Sequence, residues 1–178
     1  SRRFVCALVL ASLCGVEARG AGETATAFTL SSSAFDAGGQ IPSRYSCDGA
    51  DQSPALTWCG GPSGTKSFAL IVDDPDAPAG TWVHWVIYDL PVDATALPEG
   101  VVKADALPNG TKQGVNDFRK VGYNGPCPPP GKPHRYFFTL YALDAPTGLK
   151  ARATKPQVLR AIEGHILAHT EMIGTYDR

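Results

Sequence analysis

Ile71-Val-Asp-Asp-Pro-Asp-Ala-Pro-Ala-Gly-Thr-Trp-Val-His-Trp-Val-Ile-Tyr88 is the stretch that decides how this chain is read. It is an apolar strand that ends in an acidic turn, followed by a second strand with His84 between Trp82 and Trp85. Pro75 and Pro78 fix φ and remove two backbone donors, so the turn has few conformations and presents Asp74 and Asp76 at low entropic cost. Val83 to Tyr88 is β-branched and aromatic, which favours strand, and a period of 2 puts Trp82, His84, Val86 and Tyr88 on one face. Taken singly, the acidic turn also reads as a plain turn, and His84 as a core histidine bonded to backbone. Their closeness in sequence favours a site.

A second stretch, Gly122-Tyr-Asn-Gly-Pro-Cys-Pro-Pro-Pro-Gly-Lys-Pro-His-Arg-Tyr-Phe-Phe-Thr-Leu-Tyr-Ala-Leu-Asp144, repeats the pattern of a proline-stiffened loop running into an apolar strand. His134 stands at the mouth of that strand. His134, Tyr136, Phe138 and Leu140 share one face, and Arg135, Phe137, Thr139 and Tyr141 the other. Both strands carry apolar residues on both faces, as central strands covered on each side do.

The acidic turn followed by Trp82-Val-His-Trp, and then Gly125-Pro-Cys-Pro-Pro with Pro133-His-Arg-Tyr, resemble the two signature regions of the phosphatidylethanolamine-binding protein family, also called Raf kinase inhibitor proteins. Ile41-Pro-Ser-Arg-Tyr-Ser-Cys-Asp-Gly, Ser53-Pro-Ala-Leu-Thr-Trp, Tyr123-Asn-Gly-Pro-Cys-Pro-Pro and Tyr141-Ala-Leu-Asp bring the resemblance nearer to its bacterial branch. It spans Phe28 to Tyr176. What it implies is a mainly β, antiparallel sandwich with a C-terminal α-helix and a few short helices and turns. It also implies a small pocket that accepts phosphate, acetate or a phosphorylated head group. Carried onto this chain, the ligand-binding set is Asp74, Asp76, Trp82, His84, His134 and Tyr136, with Pro126 as a wall. The loop from Pro126 to His134 is longer than in eukaryotic relatives, so Pro128 is the other candidate for the wall. No metal or cofactor is implied.

Ser1 to Gly20 reads as a secretory signal, with Arg2 and Arg3 before an apolar run from Phe4 to Val16 and small residues for cleavage at Ala18-Arg19-Gly20. The twin arginines leave the twin-arginine route open beside ordinary secretion. Residues 21–178 then form a single domain, exported to the periplasm or secreted. The segment carries three of the sixteen basic and one of the seventeen acidic residues, which leaves a net charge near −3. Such mild acidity without a basic stripe gives no footprint for nucleic acid, and no strong pull toward an anionic membrane. No apolar run is long enough for stable membrane insertion. Roughly 155 residues bury about two-thirds of their unfolded surface as one domain. Cys47, Cys59 and Cys127 remain after processing, and export allows one pair. The resemblance places Cys47 and Cys127 in loops near the same pocket, which favours that pairing over Cys47 with Cys59 or none.

Phe28 to Leu30, Ala55 to Trp58 and Ser67 to Val72 read as short strands separated by Gly- and Pro-rich turns, the signature of an antiparallel sandwich. Pro91 to Val121 reads as irregular. Thr154-Lys-Pro-Gln opens a helix with a capping box and an early proline. Val158, Leu159, Ile162, Ile166 and His169 continue a helical stripe, which puts His165 and His169 one turn apart. That spacing also suits a metal, but no acidic partner matches it, so a packed or solvated helix face is the expectation.

Two imidazoles repel when both are charged, but a carboxylate such as Asp74 can hold one as a donor tautomer or as imidazolium. Imidazole N–H, tyrosine O–H and loop amides then bind phosphate oxygens, while the carboxylates suit the ammonium of a phosphoethanolamine-like zwitterion. The expected function is a non-catalytic binding protein for a small anionic or phosphorylated ligand, modulating a partner protein such as a kinase or protease. One alternative is an inhibitor or scaffold acting outside the pocket. The other is a hydrolase or metalloenzyme built on two His and a carboxylate, although no Gly-x-Ser-x-Gly nucleophile motif is present.

Overall fold

The computed structural model describes residues 27–178, so the proposed signal segment lies outside the described residues. Among the described residues, eight strands, one short 3-10 helix and one α-helix follow in the order β1 (Thr29–Ser32), the 3-10 helix (Ser43–Tyr45), β2 (Leu56–Cys59), β3 (Ser67–Asp74), β4 (Trp82–Pro91), β5 (Ala96–Leu97), β6 (Lys112–Gln113), β7 (His134–Leu143), α1 (Lys155–Ile162) and β8 (Ile166–Tyr176). They form a three-stranded sheet, β1-β2-β5, and a five-stranded sheet, β6-β4-β3-β7-β8, both antiparallel. The expected mainly β sandwich is what forms.

The strands arise where β-branched and aromatic residues run on without a break, and they are central where both faces are apolar. β3 lies between β4 and β7 with six of its eight residues buried in succession. Between the sheets, Leu56 and Trp58 meet Leu70, Val72, Trp85, Ile87, Phe138 and Leu140 in the main core. On the far side of the large sheet, Val158 and Ile162 of α1 cover Ala69, Val86, Tyr88 and Leu143.

Two expectations about faces need correction. First, the ladder of β3 with β4 shifts register between Val72 and Asp73, with Val72 opposite Trp85 and Asp73 opposite Val83. His84 is the extra residue of that β-bulge. A bulge lets two successive side chains fall on one side. His84 and Trp85 therefore both face the inter-sheet side, while Val86 and Tyr88 pack under α1. The single face Trp82, His84, Val86, Tyr88 expected from strict alternation is broken after His84. Second, β7 alternates as expected on its inner face, but Phe137, Thr139 and Tyr141 on the other are only half-buried.

The helix is shorter than its apolar stripe indicated. Its start is as expected: the Thr154 N–H donates to the Gln157 side-chain oxygen at 2.8 Å. It stops at Ile162, and Gly164 takes φ +81°, a left-handed conformation that ends helices. Ile166 to Tyr176 then pairs with β7 along nearly all of that strand. His165 sits in the turn with Nδ1 2.7 Å from Asp144, and His169 lies on β8 against the Tyr141 ring. The two histidines do not share a helix face. Among the described residues, no helix is long and apolar enough to cross a membrane.

Candidate functional site

β3 ends at Asp74, β4 begins at Trp82 and β7 begins at His134. Antiparallel order places all three at one end of the large sheet, so residues sixty positions apart arrive together. They open onto a cleft of about 340 Å³ lined by Asp74, Trp82, His84 and His134, with Phe118 on one side and Cys127, Pro128 and Pro129 on another. Asp74 is not on the turn, as expected, but is the last residue of β3.

Each polar group has a defined back-side partner. His134 donates from Nδ1 to Oδ2 of Asp74 at 2.8 Å, and both side chains are nearly sealed from solvent. The other Asp74 oxygen accepts from the Asp76 N–H at 2.9 Å, which fixes the turn entrance. His84 is 2 % exposed and has Nδ1 2.7 Å from the Asn124 carbonyl oxygen. A carbonyl can only accept, so Nδ1 of His84 carries the proton. Burial lowers the His84 pKa, against opposing pulls from the Asn124 carbonyl and the charges of Asp74 and Asp51.

The loop that holds His84 is itself pinned. Asp51 accepts from the Asn124 side chain at 2.8 Å and from the Gly125 N–H at 2.6 Å, and the Cys47 N–H donates to the Pro126 carbonyl at 3.0 Å. A β-carbon at position 125 would strike the Tyr45 carbonyl, so only glycine lets these two segments lie side by side. Cys47 and Cys127 are joined in a disulfide across 80 positions, as the resemblance implied, while Cys59 lies in β2 beside the Thr29 hydroxyl.

Four of the seven expected ligand-binding residues line the cleft: Asp74, Trp82, His84 and His134. Asp76 does not, because Arg135 holds its carboxylate through Nε and Nη2 at 2.8 Å each and through its backbone N–H at 2.9 Å. The Arg135 hydrogen bonds hold the Asp76 carboxyl well below the usual range, at about 2. It acts as a brace between the turn and β7. Pro126 is buried behind the wall, which Pro128 and Pro129 provide instead. Tyr136 is fully buried beneath the cleft, its ring edge-on to His84 at 5.2 Å. Burial and the Asp74 charge raise its pKa and keep it protonated, but no neighbour completes a hydrogen bond of good geometry with its hydroxyl. Among the described residues, Trp82 Nε1 is likewise enclosed without a partner.

Phe118 is the site residue that pattern reading missed. It comes from the irregular segment after β4 and meets the rings of Trp82 at 5.5 Å and His84 at 5.3 Å. A lone aromatic in the polar run Asn116-Asp-Phe-Arg119 was the available signal. Among the described residues, no three His, Cys, Asp or Glu side chains group to hold a metal ion.

Comparison with known proteins bears on the same region. A family model described as phosphatidylethanolamine-binding protein matches residues 31–177. The UPF0098 protein of Methanothermobacter thermautotrophicus is 54 % identical over 149 residues, covering 84 % of this chain and 98 % of that protein. The UPF0098 protein of Aquifex aeolicus is 49 % identical, covering 83 % of this chain and 86 % of the other. Among solved structures, Escherichia coli YbcL, described as a new member of the mammalian PEBP family, superposes with a TM-score of 0.79 at 36 % identity, covering 85 % of this chain and 98 % of its own.

Proposed function

The chain belongs to the phosphatidylethanolamine-binding protein family, and from that premise we propose that it is a non-catalytic binding protein whose cleft takes a small anion, such as a phosphate or a phosphoethanolamine-like head group. The observation that carries this reading is the meeting of His84, His134 and Asp74 at one cleft of about 340 Å³. That volume suits a head group rather than a whole lipid or a peptide. The walls are proline and aromatic, which exclude water and strengthen any hydrogen bond formed inside.

The same lining offers no hydroxyl or thiol nucleophile: among the described residues, no serine or threonine lines the cleft, and Cys127 there is tied in the disulfide. A disulfide also persists best in an oxidising compartment, which supports a periplasmic or secreted protein. The rim residues Ala79 and Pro129 are exposed, and occupancy of the cleft is what a protein partner, a kinase or a protease, would sense there.

Calorimetric titration with inorganic phosphate and with O-phosphoethanolamine tests the reading. Weak binding is expected, abolished in His84→Ala and in His134→Ala. Unchanged affinity in both variants overturns it.

A further inference from the structure

Granting the anion cleft proposed above, we infer that the anion enters together with one proton, taken up on Nε2 of His134. A neutral imidazole has a single N–H. In His84 it sits on Nδ1, facing the Asn124 carbonyl at 2.7 Å. In His134 it sits on Nδ1, facing the Asp74 carboxylate at 2.8 Å. Both Nε2 atoms therefore carry lone pairs, and the carboxylate beside them is a third acceptor. An oxyanion also brings only acceptors. Against these acceptors the resting lining sets only neutral donors, the enclosed Trp82 Nε1–H and the Tyr136 hydroxyl beneath it, and no charge that balances the guest.

Nothing else in the lining supplies the missing positive charge. Among the described residues, no lysine or arginine lines the cleft. The guanidinium of Arg135, one residue from His134, is committed to Asp76 by two side-chain hydrogen bonds. Asp51, behind His84, is paired with Lys103 at 2.9 Å. The Tyr136 hydroxyl is held protonated and the Phe118 ring is neutral, so among the described lining residues Asp74 is the one charged side chain beside the imidazoles. An anion placed beside it in a mostly apolar cleft meets strong repulsion, because the low local dielectric screens little. A proton turns this pair of like charges into a carboxylate, imidazolium and anion in sequence.

The position of that proton follows from the two back-side partners. An imidazolium at His134 would be held against a carboxylate, whereas one at His84 would be buried against a neutral carbonyl. The lowered pKa of His84 agrees with that choice. Asp74 thus has a double part: it fixes the His134 tautomer at rest and balances the imidazolium when the cleft is filled. The class of guest follows too. The cleft favours oxyanions under mildly acidic conditions, or guests such as phosphomonoester monoanions that bring their own proton to a bare Nε2.

Dimethyl phosphate is the probe, because as a diester it has no proton to give or take near neutrality. Its affinity is expected to fall about tenfold for each pH unit across the range in which the imidazole that must take up the proton is neutral. Calorimetry in buffers of different ionisation enthalpy should show uptake approaching one proton per ligand at alkaline pH, and imidazole nitrogen NMR should place it on Nε2 of His134. His134→Asn keeps an N–H toward Asp74 but has no Nε2, and in it the residual affinity should lose its pH dependence. Binding by the unaltered protein at alkaline pH without proton uptake overturns the inference and leaves the anion cleft standing. Uptake that persists in His134→Asn, or appears on His84, overturns the assignment to His134. Absence of dimethyl phosphate and inorganic phosphate binding at mildly acidic pH sinks the anion cleft itself.

Discussion

Oδ2 of Asp74 accepts a hydrogen bond of 2.8 Å from Nδ1 of His134, across sixty positions of sequence, while Oδ1 of the same carboxylate holds the Asp76 N–H at 2.9 Å. One buried side chain thus joins the end of β3, the turn and the start of β7. Truncation as Asp74→Ala leaves two donors without a partner in a nearly closed setting, and a buried unmatched polar group costs about 1–3 kcal/mol. Urea unfolding should show a loss of at least that size, with phosphate binding lost as well. A loss below about 0.5 kcal/mol would mean that water replaces the carboxylate freely and that the corner is not held by Asp74.

His84 predicts a separate sensitivity to acid. Its pKa is lowered in the folded protein by burial, so below about pH 6.5 the unfolded chain binds more protons at this position than the folded one. Its contribution is therefore flat at higher pH and turns destabilising as the pH falls from about 6.5 toward the depressed folded value. Urea midpoints followed from neutral to mildly acidic pH should fall more steeply in the unaltered protein than in His84→Gln, which removes the titrating ring. Parallel slopes would show that His84 is as easily charged in the folded state as in the unfolded chain.

Arg135 and Asp76 form a brace at the surface, with side-chain exposures of 56 % and 29 %. Solvent screening keeps such pairs to about 0.2–1 kcal/mol, so Arg135→Ala should be mild in stability and milder still in high salt. The Asp76 carboxyl lies at about 2 in the folded protein against an ordinary 3.8, so its contribution is present above about 3.8 and is lost as the pH falls through about 2. Acid unfolding curves of Arg135→Ala and the parent should therefore converge at the acid end and separate above it. Equal separation at every pH would place the effect of Arg135 in packing rather than charge.

The Cys47–Cys127 bridge closes a separation of 80 residues and anchors the cleft wall to the segment before β2. Removing a bridge of that span costs about 2–5 kcal/mol, chiefly by freeing the unfolded chain. Cys127→Ser, or reduction of the parent, should lower the thermal midpoint correspondingly. Because Pro128 and Pro129 follow Cys127 directly in the cleft wall, ligand affinity should fall with it. A midpoint indifferent to reductant would show that the cysteines are unpaired in solution.

How much of this was legible in the sequence depends on the kind of signal each element left. β3, β4 and β7 were readable because apolar, β-branched runs have a period, and the Asp74, His84, His134 convergence followed from matching family signatures at the mouths of those strands. The bulge at His84 was not readable, because a shift of register leaves composition and periodicity intact while exchanging faces. Asp76 looked like Asp74 on the turn, and only the neighbouring β7 decides that Arg135 takes one carboxylate and His134 the other. Phe118 and Asn116 belong to a segment organised by side-chain bonds, such as Asn116 Nδ2 to the Gly122 carbonyl at 2.9 Å, and these have no repeat to detect.

The end of α1 gives the sharpest case of one pattern serving two structures. Val158, Leu159, Ile162, Ile166 and His169 fit a helical stripe, yet the chain turns at Gly164 with φ +81° and enters β8. Two forces oppose each other there. Helix continuation would gain backbone bonds within one segment, whereas β8 gains a ladder along β7 and buries Met172 and Tyr176 in the main core. Substitution of Gly164 by alanine separates them. In a continuing helix, alanine would stabilise by about 1 kcal/mol, because it is the better helix former. In the left-handed turn seen here its β-carbon meets no neighbour, but the conformation itself costs about 1–2 kcal/mol for any residue with a side chain. Gly164→Ala is therefore expected to lower stability by about 1 kcal/mol in urea unfolding, with the resonances of Trp82 and His134 unmoved. A more stable variant would mean that the helix runs on past Ile162, and that β8 does not pair with β7 as described.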